Sequence, residues 1–189
     1  MKKHLVLLIP AFFQLLFTGC AEMGLYERLV MEQTFTPHKS VRMTWMGTAG
    51  MFITDGKTGI LIDPYVSRFG MSKMVFGSPL EPNCALIRKW AEKLGRENIT
   101  AVIVGHSHFD HVADAPYFAI EADAPLIGTE STMNVGRGAG MAESKLIAVK
   151  SGRTMRIGDF TVKFIESAHA AFLGRVPYPG TIDKPLIPP

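Results

Sequence analysis

In the segment Val104-Gly105-His106-Ser107-His108-Phe109-Asp110-His111, three of the chain's six histidines and one aspartate fall within six residues. Alternate residues on an extended or turning backbone point the same way, so His106 and His108 can reach one cation together. Asp110 and His111, on the adjacent turn, face a neighbouring position. Imidazole with carboxylate suits zinc, and also manganese or iron. Two alternate histidines alone would read equally well as a solvated loop. Four donors placed directly after a buried strand make a metal-binding loop.

That strand is Ile99-Thr100-Ala101-Val102-Ile103-Val104-Gly105, a β-branched run of the kind buried on both faces of a sheet. A ligand-rich loop at the end of such a strand is where open α/β sheets carry their chemistry. Upstream, residues 41 to 65 read as three short strands punctuated by Gly47, by Asp55-Gly56 and by Asp63-Pro64. Residues 66 to 82 read as a loop. From Cys84 to Leu94 the apolar positions recur at helical spacing, with Asn83 as N-cap and Gly95 as stop. Downstream, the pattern predicts a short helix over 113–122, a strand at 126–128 and a helical turn over 131–135. Three more strands follow, over 146–149, 154–157 and 160–165. Val135 to Gly140, "VGRGAG", lacks the Gly-Lys-Ser/Thr of a phosphate loop and reads as a flexible turn. The stretch "VPYPGTIDKPLIPP" has five prolines and reads as a loop.

With 189 residues the chain has room for one domain with a real core. An apolar fraction of 47% with 20% charged residues is that of a globular protein, neither disordered nor spanning a membrane repeatedly. The net charge of +3 comes from scattered lysines and arginines, so no nucleic-acid partner is expected. The start differs: Lys2 and Lys3, then an apolar stretch from Leu5 to Phe17, then Thr18-Gly19-Cys20. This is the form of a secretory signal peptide over 1–19, shorter than the roughly 20 apolar residues of a spanning helix. Leu16 to Cys20 resembles a bacterial lipobox, with Phe17 in place of the usual aliphatic residue. It implies a lipidated Cys20, a tether over 20–40, and a protein held by its lipid anchor in the bacterial envelope, at the outer membrane facing the periplasm. Cys84 is then the one free thiol.

The His-x-His-x-Asp-His signature resembles that of the metallo-β-lactamase-fold hydrolase superfamily. The segment "TWMGTAGMFITDGKTGILIDPY" is similar to the opening strands of the branch holding ascorbate-6-phosphate lactonases and N-acylphosphatidylethanolamine-cleaving phospholipases D. The resemblance implies an α/β fold, the four-layer αββα sandwich, with residues 41–189 supplying the first half and part of the second. It assigns His106, His108 and His169 to a first metal and Asp110 and His111 to a second, two zinc ions being usual. Asp110 would also orient the attacking hydroxide, and Asp63 would steady the ligands from behind. The family completes its site with a bridging aspartate and a final histidine. Here no histidine follows His169, and the one later aspartate, Asp183, lies in the Pro-rich tail without a preceding strand. The resemblance therefore implies a C-terminally truncated member. Its expected activity is metal-dependent hydrolysis of a small or lipid-like phosphodiester, lactone or related ester. The alternative is a truncated, catalytically inactive metal-binding lipoprotein. His108 stands where the di-iron oxygen reductases of the superfamily carry glutamate, which argues against redox chemistry.

Overall fold

Glycines and β-branched residues divide the first described segment into an antiparallel meander. In the computed structural model, which describes residues 40–70, 79–169 and 179–186, β1 (Arg42–Gly47), β2 (Gly50–Thr54) and β3 (Gly59–Ile62) pair in succession. The turn into β3 is built by Asp55, whose Oδ1 accepts hydrogen bonds from the N–H groups of Lys57 and Thr58 at 2.9 and 2.7 Å. These two donors hold the Asp55 carboxyl below its ordinary value. The expected signal peptide, Cys20 and all of the tether but Ser40 lie outside the described residues. So does part of the expected 66–82 loop. The described residues fall in the unit Lys39–Pro189, and no helix among them is long and apolar enough to cross a membrane.

Helix α1 (Cys84–Leu94) runs between the predicted limits. The Asn83 side chain accepts from Leu86 N at 3.0 Å, which satisfies one of the donors a helix start leaves open. Gly95 closes the helix in the left-handed region at φ 79°. The chain then enters β4 (Ile99–Ile103), which adds parallel to β3. The metal-motif segment opens a short helix, α2 (Phe109–Val112), and α3 (Ala115–Glu121) follows with Pro116 in its first turn. β5 (Leu126–Gly128), α4 (Glu130–Gly138) and β6 (Leu146–Ala148) complete a six-stranded sheet in the order β1 to β6. β7 (Thr154–Ile157) and β8 (Phe160–Lys163) form a separate antiparallel pair.

The period-two alternation explains the layering. Phe52, Leu61, Val102 and Leu126 face the helices and pack with Ile87, Phe118 and Met133. Their neighbours Ile60, Ile103 and Ile127 point to the opposite face, where Ile157, Phe160 and Val162 of the second sheet meet them. Helices, large sheet and small sheet are three layers of the αββα sandwich. Each fully buried Leu or Ile contributes roughly 1.5–3 kcal/mol relative to exposure. Towards β1 that second face stays open among the described residues, with Trp45 62% exposed.

One reading of the sequence is corrected. "VGRGAG" is not a loose turn, because Val135 to Gly138 form the last turn of α4. Glycine stands at 136 because a Cβ there would lie 2.6 Å from Leu146 Cδ2 and 3.0 Å from Leu126 Cδ2. At Gly138 a Cβ would collide with the backbone of Leu186, so glycine lets residues 182–186 lie across the helix. The described part of the Pro-rich stretch has no helix or strand, yet it is tied down. Ile182 N donates to Ser131 Oγ at 3.0 Å, and Asn134 Nδ2 donates to the Ile182 carbonyl at 2.6 Å.

Candidate metal centre

Strands β3, β4 and β5 all deliver their carboxyl ends to one edge of the sheet. The ladder continues past the formal strand ends, with Asp63 N donating to Ile103 O and Val104 N to Ile127 O, both at 2.9 Å. Asp63, Gly105-His106 and Thr129 therefore emerge side by side, at the edge where parallel sheets gather functional groups. His169 arrives from the other sheet. Beyond β8, Phe164 N donates to Arg153 O at 2.8 Å and Glu166 N to Ser151 Oγ at 3.1 Å. These bonds guide the chain out to His169.

Four imidazoles converge there. The ring centroid of His106 lies 4.5 Å from that of His108, 3.9 Å from His111 and 5.2 Å from His169, and His108 lies 4.7 Å from His169. His106, His108 and His169 each offer a ring nitrogen within 4.8 Å of the other two. Among the described residues this is the one group of three or more such donors. Nitrogens sharing a zinc ion stand about 3.4 Å apart, so small side-chain rotations close the set. Asp110 and His111 sit beside this group, not within it. Asp110 Oδ2 is 3.9 Å from His111 Nε2.

Asp63 links the strand edge to the cluster. Its φ of 46° places it in the left-handed region, a strained conformation of the kind concentrated at functional sites. Its Oδ1 accepts from Gly105 N at 2.7 Å, which fixes the backbone one residue before His106. Its Oδ2 lies 2.9 Å from His111 Nδ1. That distance suits a hydrogen bond, but the alignment does not, and His111 Nδ1 makes no other hydrogen bond. The pair is an ionic contact. The Asp63 carboxylate holds the His111 imidazole above its ordinary value, against the opposing effect of burial. His106 moves the other way: burial lowers it first, and the neighbouring imidazoles His111 and His108 add to that. A neutral His106 keeps a lone pair for coordination. Its Nε2 is buried without a hydrogen-bond partner, a costly state for a polar atom that a cation would relieve. The donor set fits a metal ion.

Two supports carried no recognisable sequence signal. Ser107, between the two ligand-type histidines, lies with its Oγ 3.0 Å from Thr132 Oγ1 and 3.4 Å from Thr129 Oγ1. Thr132 is fully buried, and Thr129 caps α4. Asp114, also fully buried, joins the motif helices to the loop after β3. Its Oδ2 accepts from Val66 N at 2.6 Å and Ser67 N at 2.7 Å, and its Oδ1 from Ser67 Oγ at 2.6 Å. Burial pushes the Asp114 carboxyl above its ordinary value, though the bonds from Ser67 and Val66 oppose it. Asp183 lies in the segment across α4, where its Oδ1 accepts from Thr181 Oγ1 at 2.7 Å.

Residues 43–182 match the Metallo-beta-lactamase superfamily. The chain belongs to that superfamily. A UPF0173 metal-dependent hydrolase of Pyrobaculum islandicum is 28% identical over 136 residues, covering 71% of this chain and 53% of the relative. Another, of Dinoroseobacter shibae, is 28% identical over 134 residues, with 71% and 51% covered. The chain spans about half the length of the curated relatives it matches. Among solved structures, Igni18, a metallo hydrolase of Ignicoccus hospitalis, aligns with a TM-score of 0.45 at 16% identity, over 72% of this chain and 53% of that one. The metallo-beta-lactamase SMB-1 aligns with a TM-score of 0.45 at 17% identity, over 64% and 48%.

Proposed function

We propose that this superfamily member is a metal-dependent hydrolase whose centre is built on His106, His108 and His169. The convergence of three ring nitrogens within 4.8 Å carries the reading. Zinc is the ion best matched to an all-imidazole set, with manganese or iron as the other candidates. Asp110 and His111 are the residues we assign to a second ion. A bound ion would supply Lewis acidity and lower the pKa of a water towards neutrality. The chain's own groups do the rest. Asp110 would orient the attacking water, and Asp63 holds His111 and the Gly105 backbone in position. An ester, lactone or phosphodiester is the substrate class that such a site serves. A lipid anchor at Cys20 in the envelope remains part of the proposal, supported by the sequence alone.

One observation favours metal binding without turnover: among the described residues no carboxylate joins the three histidines. The test is metal content by mass spectrometry, together with hydrolysis of bis-p-nitrophenyl phosphate and p-nitrophenyl esters, for the protein and for His106→Ala and His169→Ala. Metal-dependent turnover lost in both variants supports the hydrolase. Metal retained by both variants refutes the assignment of these ligands, and bound metal without turnover favours the second reading.

A further inference from the structure

Arg68 stands in the loop after β3, outside the histidine cluster and without a part in the reaction above. Its φ of 50° is left-handed, a conformation that a non-glycine residue keeps only where its surroundings hold it. The guanidinium supplies the hold. Nε donates to Tyr65 O at 3.1 Å and Nη2 to Met46 O at 2.8 Å. Both acceptors are main-chain carbonyls, so the fixed fork of donors sets backbone geometry. Tyr65 belongs to the loop leaving β3, whereas Met46 lies near the end of β1, and β2 separates those two strands. One side chain thus spans three strands at the edge that carries the metal centre.

Asp63 sits inside that span. Gly47 pairs with Gly50 and Met51 with Ile62, so Gly50 stands beside Asp63. A Cβ at Gly50 would lie 3.1 Å from Gly47 O and 3.2 Å from Asp63 O, which leaves no slack between the β1–β2 turn and Asp63. Gly47 in turn seats the guanidinium, since a Cβ there would collide with Arg68 Nη2. Asp63 is itself left-handed, with Oδ1 on Gly105 N and Oδ2 beside His111 Nδ1. Its N–H is fixed to Ile103 O on the β4 side. Arg68 fixes the other side, through the β1 edge and Tyr65.

We propose that Arg68 is a positioning residue of the metal centre, bracing β1 against the loop after β3 so that the Asp63 carboxylate meets Gly105 and His111. The inference rests on the metal-centre reading and names a residue that acts on the centre through Asp63.

The test is read without turnover. Arg68→Ala, and Arg68→Met, which keeps an aliphatic stem and no donor, should weaken zinc about three- to tenfold in chelator competition, less than losing a group directly behind a ligand. Residues that act through one another are not additive, so in an Asp63→Ala background the same changes should leave zinc affinity unchanged. Arg68→Lys, which lacks the fork, should fall between the parent and Arg68→Met. In metal-stripped protein the Gly105 amide should exchange with solvent about three- to tenfold faster in Arg68→Met than in the parent. The Ile87 amide, bonded to Asn83 O in α1, should keep its rate, which separates a local effect from a general loosening of the fold. Unchanged zinc affinity in Arg68→Met, or a loss just as large without Asp63, overturns the proposal. If the parent takes up no zinc, the metal reading falls and the Gly105 amide decides: faster exchange in Arg68→Met upholds the brace on Asp63, and an equal rate overturns it.

Discussion

Replacing Asp114 by alanine tests whether the loop after β3 is held to the metal-motif helices by one buried carboxylate. Removing it strips the N–H groups of Val66 and Ser67 of their acceptor, and leaves Ser67 Oγ without one of its partners. Val66 is buried, so no bulk water replaces the bond there. An orphaned buried donor costs about 1–3 kcal/mol. Two backbone donors together then give a loss of about 4 kcal/mol for Asp114→Ala. At this chain length that corresponds to a fall in Tm of roughly 8–16 °C. Asp114→Asn keeps one carbonyl oxygen able to accept from both N–H groups, and its NH2 can donate to Ser67 Oγ. It should lose about 1–2 kcal/mol. Calorimetry or urea unfolding of the metal-stripped protein measures both, which separates the effect on the fold from any effect on ligand affinity. Asp114→Ala within 1 kcal/mol of the parent, or Asn as damaging as Ala, would refute the argument that buried donors set the cost.

Further expectations follow from the same geometry. Asp63→Asn should weaken zinc binding about 10- to 100-fold, the usual effect of losing a group behind a ligand, as read by competition with a chromogenic chelator. In metal-stripped protein, the stability that His111 contributes through its raised value is fully present below pH 6.5 and is lost as pH rises through the folded value. His111→Gln should therefore cost more at pH 5.5 than at pH 8.5 in unfolding measurements, and an equal cost at both would contradict the ionic contact with Asp63. Gly136→Ala gains about 1 kcal/mol of helix propensity but drives a Cβ into Leu146 and Leu126, a clash costing about 1–3 kcal/mol. The expected net result is a lower Tm, and a rise would show that α4 can shift.

Local chemistry was legible because its signals lie in one stretch of sequence. Asn83 and Gly95 bracket α1, the β-branched run gives β4, and the Gly158-Asp159 turn separates β7 from β8. Val135 to Gly140 misled because glycine usually marks flexibility. Here it marks close packing against Leu146 and the Leu186 backbone, and both partners lie elsewhere in the chain. Asp114 and the Ser107–Thr132 pair were invisible for the same reason. Asp114 meets residues nearly fifty positions upstream, and Ser107 meets one twenty-five positions on. No spacing rule joins residues so far apart. The motif histidines could be seen together in the sequence. That His169 reaches them depends on how the second sheet packs, which Ile157, Phe160 and Val162 decide.

The position of His169 also gives the cluster a mechanical meaning. Its partners stand on the large sheet, while it hangs from the end of the small one, so an ion held by all three would staple the two layers together. Such a staple closes a loop of about sixty residues, and the entropy taken from the unfolded chain grows only slowly with that length. Stability gained this way rises as the logarithm of free metal over its dissociation constant. A chain that folds around its ion in this manner would report metal supply through the tightness of its own sandwich.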